Sequence, residues 1–178
     1  MKKIFIDGGG HDGCTVRKLL KENKDYQIYS FECNPKFFSY YKKLPTTLIK
    51  KAIWVEDCTK QFFMQRSAVS GGSSLFKKVN LGGYKVVNIE CIDFSKWVLD
   101  NFNIDDYIIL KLDIEGAEYS VLEKMLEDKS FDYVNEFFVE WHQHKLVDKN
   151  VNHDLIIEKI SKKVKVEYWD AIDERIIR

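Results

Sequence analysis

Lys2-Lys3-Ile4-Phe5-Ile6-Asp7-Gly8-Gly9-Gly10-His11-Asp12-Gly13 is the stretch that decides the fold. Up to Asp7 it is short, apolar, β-branched and aromatic, the mark of a buried strand. The glycines that follow allow a tight turn and a close backbone approach to a ligand. Past Gly13, Val16, Leu19 and Leu20 recur at helical spacing through a polar stretch ending near Lys24. Strand, glycine turn and helix open a doubly wound α/β fold.

Working outward, the alternation continues. Tyr26–Phe31 reads as a second strand ending at Glu32, and Pro35 opens a helix with Phe37, Phe38, Tyr41 and Leu44 on one side. Thr47–Trp54 reads as a third strand. Thr59–Arg66 and Lys85–Ile92 are two more, separated by a Ser/Gly-rich loop and a Gly82-Gly83 turn. Asp93 is placed to cap a helix carrying Phe94, Trp97, Val98 and Phe102. Tyr107–Leu112 is an apolar strand ending at Asp113, followed by a helix that buries Ala117, Val121, Leu122, Met125 and Leu126. Val134–Trp141 is another strand and Leu155–Ile160 an amphipathic helix; Lys165–Trp169 and Arg175–Ile177 then form a closing antiparallel hairpin. The expected architecture is a single α/β domain over residues 1–178, with a mainly parallel twisted sheet and helices on both faces.

Composition narrows the class. The chain has 178 residues, with 28 Lys+Arg balanced by 28 Asp+Glu. That balance argues against a general nucleic-acid or membrane-surface binder. The basic group Lys36, Lys42, Lys43, Lys50 and Lys51 reads as a solvated face. No stretch is apolar for the roughly 18 residues a membrane span needs, and charged Lys2 and Lys3 follow Met1 directly, unlike a secretory signal. The 12 Phe, 9 Tyr and 4 Trp with only 2 Pro exclude a disordered chain. Cys14, Cys33, Cys58 and Cys91 lack CxxC pairing and read as reduced thiols of a cytoplasmic protein.

Two cofactors compete for the glycine turn. Gly8-x-Gly10-x-x-Gly13 matches a dinucleotide fingerprint, whereas Asp7-x-Gly9-x-x-x-Gly13 matches the acidic turn of S-adenosylmethionine-dependent methyltransferases. Charge separates them. Carboxylates at Asp7 and Asp12 repel a pyrophosphate but suit an ammonium and a sulfonium. Glu32, at the tip of the second strand, is placed to accept hydrogen bonds from ribose hydroxyls. By analogy of fold, adenine is expected near Ala52, Ile53 and Trp54, with Asp57 accepting from its exocyclic amine.

Three segments then resemble the FkbM family of methyltransferases: Phe5-Ile6-Asp7-Gly8-Gly9-Gly10-His11-Asp12-Gly13, Tyr29-Ser30-Phe31-Glu32-Cys33-Asn34-Pro35, and Leu110-Lys111-Leu112-Asp113-Ile114-Glu115-Gly116-Ala117-Glu118. Ser73-Ser74-Leu75 resembles a serine-containing loop of the same family. The resemblance implies a Rossmann-like methyltransferase fold, S-adenosylmethionine as donor, and O-methylation of a hydroxyl on a sugar or natural product. It also implies that Asp7, Gly8, Gly9, Gly10, His11, Gly13, Glu32, Cys33, Asn34, Ser74 and Asp113 surround the cofactor. There are two departures. His11 stands where the family usually has Asn, and the N-terminal helices that often cover the cofactor do not precede the first strand. An open or shallow acceptor site, or one completed by a second subunit of a homodimer, is therefore expected.

Proton removal from an acceptor hydroxyl needs a base. Asp113, at the end of its strand, is the first candidate, as base or metal ligand; N-capping of the following helix is the structural alternative. Lys111 points to the same side of the strand, placed to pair with Asp113 or hold an acceptor oxygen. Glu115 and Glu118 read as first-turn helix acids. Glu140 and His142 share a side if their strand continues, so either can be the base, with Trp141 between them a core aromatic or a sugar-stacking platform. Asp113, Glu140 and His142 could also hold a divalent metal, although a metal-free site is favoured. The reading is a cytoplasmic S-adenosylmethionine-dependent O-methyltransferase acting on a carbohydrate or other hydroxyl-bearing small molecule. The alternatives are an NAD-dependent oxidoreductase, for which no second substrate domain is present, and a non-catalytic cofactor-binding module.

Overall fold

A computed structural model describes residues 1–22, 25–65, 72–77, 83–143 and 152–168. Its main sheet has six strands in the order β3-β2-β1-β7-β8-β9, every neighbouring pair parallel. These strands are β1 (Lys3–Gly8), β2 (Gln27–Phe31), β3 (Thr47–Ile49), β7 (Tyr107–Leu112), β8 (Val134–Val139) and β9 (Val166–Tyr168).

Alternation along the strands divides the core. Ile4, Ile6, Ile108, Leu110, Leu112, Phe137 and Val139 lie on one face, in a cluster with residues of α2 (Phe94–Asn101), α3 (Glu118–Glu127) and α4 (His153–Ser161). Phe5, Ile28, Ile109 and Phe138 lie on the other, against Val16 and Leu19 of α1 (Cys14–Lys21). Central strands buried on both sides account for the continuous apolar runs. Each fully buried large side chain contributes about 1.5–3 kcal/mol relative to exposure. The same alternation sends Asp7 and Lys111 toward the α1 face.

A second sheet, in the order β4-β6-β5, comprises β4 (Ala52–Trp54), β5 (Cys58–Gln65) and β6 (Tyr84–Asp93). β5 and β6 are antiparallel, while β4 runs parallel to β6. The predicted single strand Thr47–Trp54 is thus two strands in two sheets. Ala52, Ile53 and Trp54 are all buried, a burial that one alternating strand at the sheet edge could not provide. The chain breaks at the charged pair Lys50-Lys51 and changes sheets there.

The predicted helix after Pro35 is shorter and tighter, a 3₁₀ helix over Phe38–Lys43 that buries Tyr41. Asp93 caps α2 as predicted, accepting from the Lys96 N–H at 3.0 Å. β9 pairs in parallel with β8, whereas its expected hairpin partner Arg175–Ile177 lies outside the described residues. Among the described residues no helix is long and apolar enough to cross a membrane.

The topology also locates the site. From β1 the chain moves through α1 to β2 and β3, then returns to place β7 on the opposite side of β1. Connections diverge between β1 and β7, opening a crevice at the carboxyl ends of these strands.

Candidate active site

The glycine turn is held by its neighbours on both sides. Gly9 and Gly10 N–H both donate to the Phe31 carbonyl, at 3.1 and 3.0 Å, and Asp113 N–H donates to the Gly8 carbonyl at 3.0 Å. Gly9 has φ of 79°, and a Cβ there would lie 1.8 Å from the Asp113 carbonyl oxygen. Only glycine fits this crossing. A Cβ on Gly10 would lie 2.2 Å from the Tyr41 hydroxyl. Backbone packing thus carries the tips of β1, β2 and β7 to one point.

Glu32 lies at that point. Its Oε1 accepts from Asn34 N–H at 2.6 Å and its Oε2 from His11 N–H at 2.7 Å. The side chain is buried, and burial pushes its pKa up to about 7 against the lowering effect of those two bonds. Each oxygen keeps acceptor capacity beyond its backbone bond. His11, the departure from the family pattern, packs on Phe37 with ring centroids 3.9 Å apart.

Asp7 needs a correction. From the sequence, its carboxylate is expected beside the ammonium and sulfonium of the cofactor. In the structure it is fully buried, and Lys111 Nζ lies 3.1 Å from its Oδ1. The same ammonium donates to the Gly9 carbonyl at 2.8 Å and lies 3.7 Å from Asp113 Oδ2. Burial alone would lower the Lys111 pKa, but the Asp7 and Asp113 carboxylates outweigh it and raise the value. Lys111 is therefore a buried counter-ion bracing the turn, and the acids that line the cavity are Glu32, Asp113, Glu115 and Glu140.

Asp113 does not cap the next helix, because α3 begins only at Glu118. Burial raises its pKa to about 6, opposed by Lys111 and reinforced by Glu140. His142 stands behind it, 2% exposed, with Nε2 3.8 Å from Asp113 Oδ1 and 3.4 Å from Glu140 Oε1. Its Nδ1 lies 2.8 Å from Glu118 Oε1. Burial lowers the imidazole pKa, but the bonds to Glu118 and Glu140 overcome it and lift it to about 9. Of the two residues offered as base, Glu140 lines the cavity and His142 lies behind it. His142 is a buried cation that orients Asp113 and Glu140.

Glu118 is the residue that sequence reasoning undervalued. Predicted as a helix-dipole acid, it is fully buried and accepts from Ile114 N–H and Gly116 N–H, each at 2.9 Å, as well as meeting His142. Its sequence signals were its place at the head of an apolar helix and its place as the last residue of the Leu110–Glu118 segment. Glu115, with φ of 60°, precedes that helix and faces the cavity. Its carbonyl accepts from the Ser74 hydroxyl at 2.7 Å. That bond gives Ser74 a structural use, and Ser73, not Ser74, lines the cavity.

The cavity measures about 410 Å³, within the usual range for small-molecule sites. Of the predicted residues it brings together Gly9, Gly10, His11, Glu32, Cys33, Asn34, Ala52, Ile53, Lys111, Asp113 and Glu140. Gly8, Gly13 and Asp7 support it from behind. Asp57, expected at the adenine, is exposed and instead accepts from Asp93 N–H at 3.3 Å. Phe37, Phe62 and Leu75 form apolar wall that sequence reasoning did not assign to the site. They come from loop and second-sheet positions whose approach depends on the tertiary fold.

A family model described as the methyltransferase FkbM domain matches residues 7–166. The chain belongs to the FkbM methyltransferase family. Comparison with curated proteins and with solved structures finds no match. The family match runs from the tip of β1 into β9, so it takes in the glycine turn, Glu32, Asp113 and the Glu140–His142 segment. Membership decides for a methyltransferase over an oxidoreductase. The fold is consistent with that family, a parallel sheet flanked by helices with its crevice at the β1–β7 switch point.

Proposed function

We propose that this FkbM methyltransferase uses S-adenosylmethionine to O-methylate a hydroxyl of a carbohydrate or similar polyhydroxylated small molecule. The observation carrying the reading is that Glu32 and Asp113, at the tips of β2 and β7, open into one cavity across the Gly9-Gly10 turn. When bound, S-adenosylmethionine supplies a methyl group on a sulfonium that leaves as a neutral thioether.

The residues present fit that donor. Glu32 can accept from ribose hydroxyls with the lone pairs its backbone bonds leave. Ala52, Ile53, Phe62 and Leu75 offer apolar wall for a base. Lys111, the ammonium that braces the glycine turn, is committed to Asp7, so the pair presents no net positive charge to a pyrophosphate.

Asp113 and Glu140 supply the proton chemistry. Both line the cavity, and a carboxylate with a pKa near 6 is a competent base at neutral pH. His142 and Lys111 hold these carboxylates from behind, which fixes their direction before substrate arrives. Alignment of acceptor and donor can itself contribute about 7–11 kcal/mol at best. A sugar acceptor is favoured by the family resemblance and by several carboxylate oxygens at one end, which suit adjacent hydroxyls. The free cysteines agree with a reducing, cytoplasmic setting.

The test has two parts. S-adenosylhomocysteine should raise the melting temperature whereas NAD should not. Labelled methyl donor incubated with candidate glycans should then mark a product by mass spectrometry. Stabilisation by NAD alone would overturn the reading.

A further inference from the structure

We propose that Asp113, Glu115 and His142 bind one divalent cation of the Mg²⁺/Mn²⁺ class on the wall of the active-site cavity. The role given to it below rests on the methyl-transfer reading, but cation binding does not.

One donor atom from each residue lies within 4.8 Å of the others. Neighbouring donors on one ion with bonds of about 2.0–2.3 Å are about 3 Å apart, so a cation draws these side chains together by about 1–2 Å, starting from 3.8 Å between His142 Nε2 and Asp113 Oδ1. The donors come from three differently anchored places. Asp113 ends β7, Glu115 precedes α3, and His142 follows β8. The Ser74–Glu115 bond fixes the Glu115 backbone in its left-handed conformation.

The imidazole carries the strongest mark of a ligand. Its Nδ1 meets a fully buried carboxylate, Glu118, which is itself tied to two backbone N–H groups. The cation takes the place of the Nε2 proton of the imidazolium, which is released to solvent, and Glu118 holds the remaining proton on Nδ1, the arrangement usual for metal-binding histidines. Nε2 faces Asp113 Oδ1, while Asp113 Oδ2 is turned to Lys111. Four carboxylates (Asp113, Glu115, Glu118 and Glu140) gather here, and Lys111 is shared with Asp7. A dication offsets this excess. Two carboxylates and one imidazole suit Mn²⁺ or Mg²⁺ better than a thiolate-seeking metal.

Asp113 and Glu115 line the cavity and His142 backs them, so further coordination positions face the cavity. A cation here orients the acceptor hydroxyl and divides the labour that the two cavity carboxylates leave shared. Asp113 is the ligand and Glu140 the base. The hydroxyl oxygen bonds to the methyl carbon, the carbon–sulfur pair stays on sulfur, and the proton passes to Glu140.

Titration of the full chain with Mn²⁺, followed by calorimetry and electron paramagnetic resonance, tests the site. One saturable Mn²⁺ per chain is expected, weakened at least tenfold by Glu115→Gln and by His142→Gln, with S-adenosylhomocysteine affinity unchanged within twofold. Should His142→Gln fail to fold, the half-buried Glu115 still gives the answer. Absence of saturable Mn²⁺ binding, or binding indifferent to Glu115→Gln, would overturn the site. Mn²⁺ binding without S-adenosylhomocysteine binding would uphold the site and refute the donor assignment.

Discussion

Glu32 is buried at the mouth of the glycine turn with a pKa near 7, against an ordinary value of 4.5. A carboxyl group whose folded pKa is raised favours the folded state in its protonated form. Its stabilising contribution is full below pH 4.5 and is lost as pH rises through about 7. At about 1.4 kcal/mol per pKa unit, the loss across that window is about 3 kcal/mol. Glu32→Gln removes the titration while keeping the shape. It also sets an amide N–H₂ against one of the two backbone N–H donors, a cost of about 1–3 kcal/mol that does not vary with pH. Urea denaturation of both proteins from pH 4 to 8 should therefore give a wild-type minus variant difference that declines by about 3 kcal/mol, whatever its offset. Ribose hydroxyls donating to the carboxylate favour its charged form, so wild-type affinity for S-adenosylhomocysteine should rise from pH 5.5 to 8 while the variant's stays flat. Parallel stability curves would refute the assignment of a burial-raised carboxyl at this position.

Other consequences are equally direct. Gly9→Ala places a methyl 1.8 Å from the Asp113 carbonyl at a positive φ, so the soluble folded yield or melting temperature should collapse; a normal melt would disprove the crossing. Lys111→Met leaves Asp7 buried without its cation and should cost about 3–5 kcal/mol in chemical denaturation, with much of the loss recovered in Asp7→Asn/Lys111→Met. Asp113→Ala should retain the fold and S-adenosylhomocysteine binding but lower single-turnover methyl transfer by about 10²–10⁴-fold. Full transfer activity in that variant would exclude Asp113 from the chemistry.

Local pattern was sufficient wherever one segment supplied its own reason. The run Ile4–Ile6 is apolar on both faces, as a strand between two helical layers must be, and Asp93 is an N-cap by its own hydrogen bond. The glycine turn, Glu32 at a strand tip and Asp113 at another were legible in the same way. The break at Lys50-Lys51 was not, because an apolar stretch does not say which sheet will bury it. Nor was the Asp7–Lys111 pair, which joins residues on adjacent strands far apart in the chain.

The amino-acid order alone thus determined the β-α-β alternation, the placing of acids at strand tips and the family, since each depends on spacing along the backbone. Only the tertiary structure decided which carboxylates reach the cavity. Asp7 is paired with Lys111 and Glu118 with His142, whereas Glu32, Asp113, Glu115 and Glu140 line the cavity, because strand order brings each beside a different neighbour.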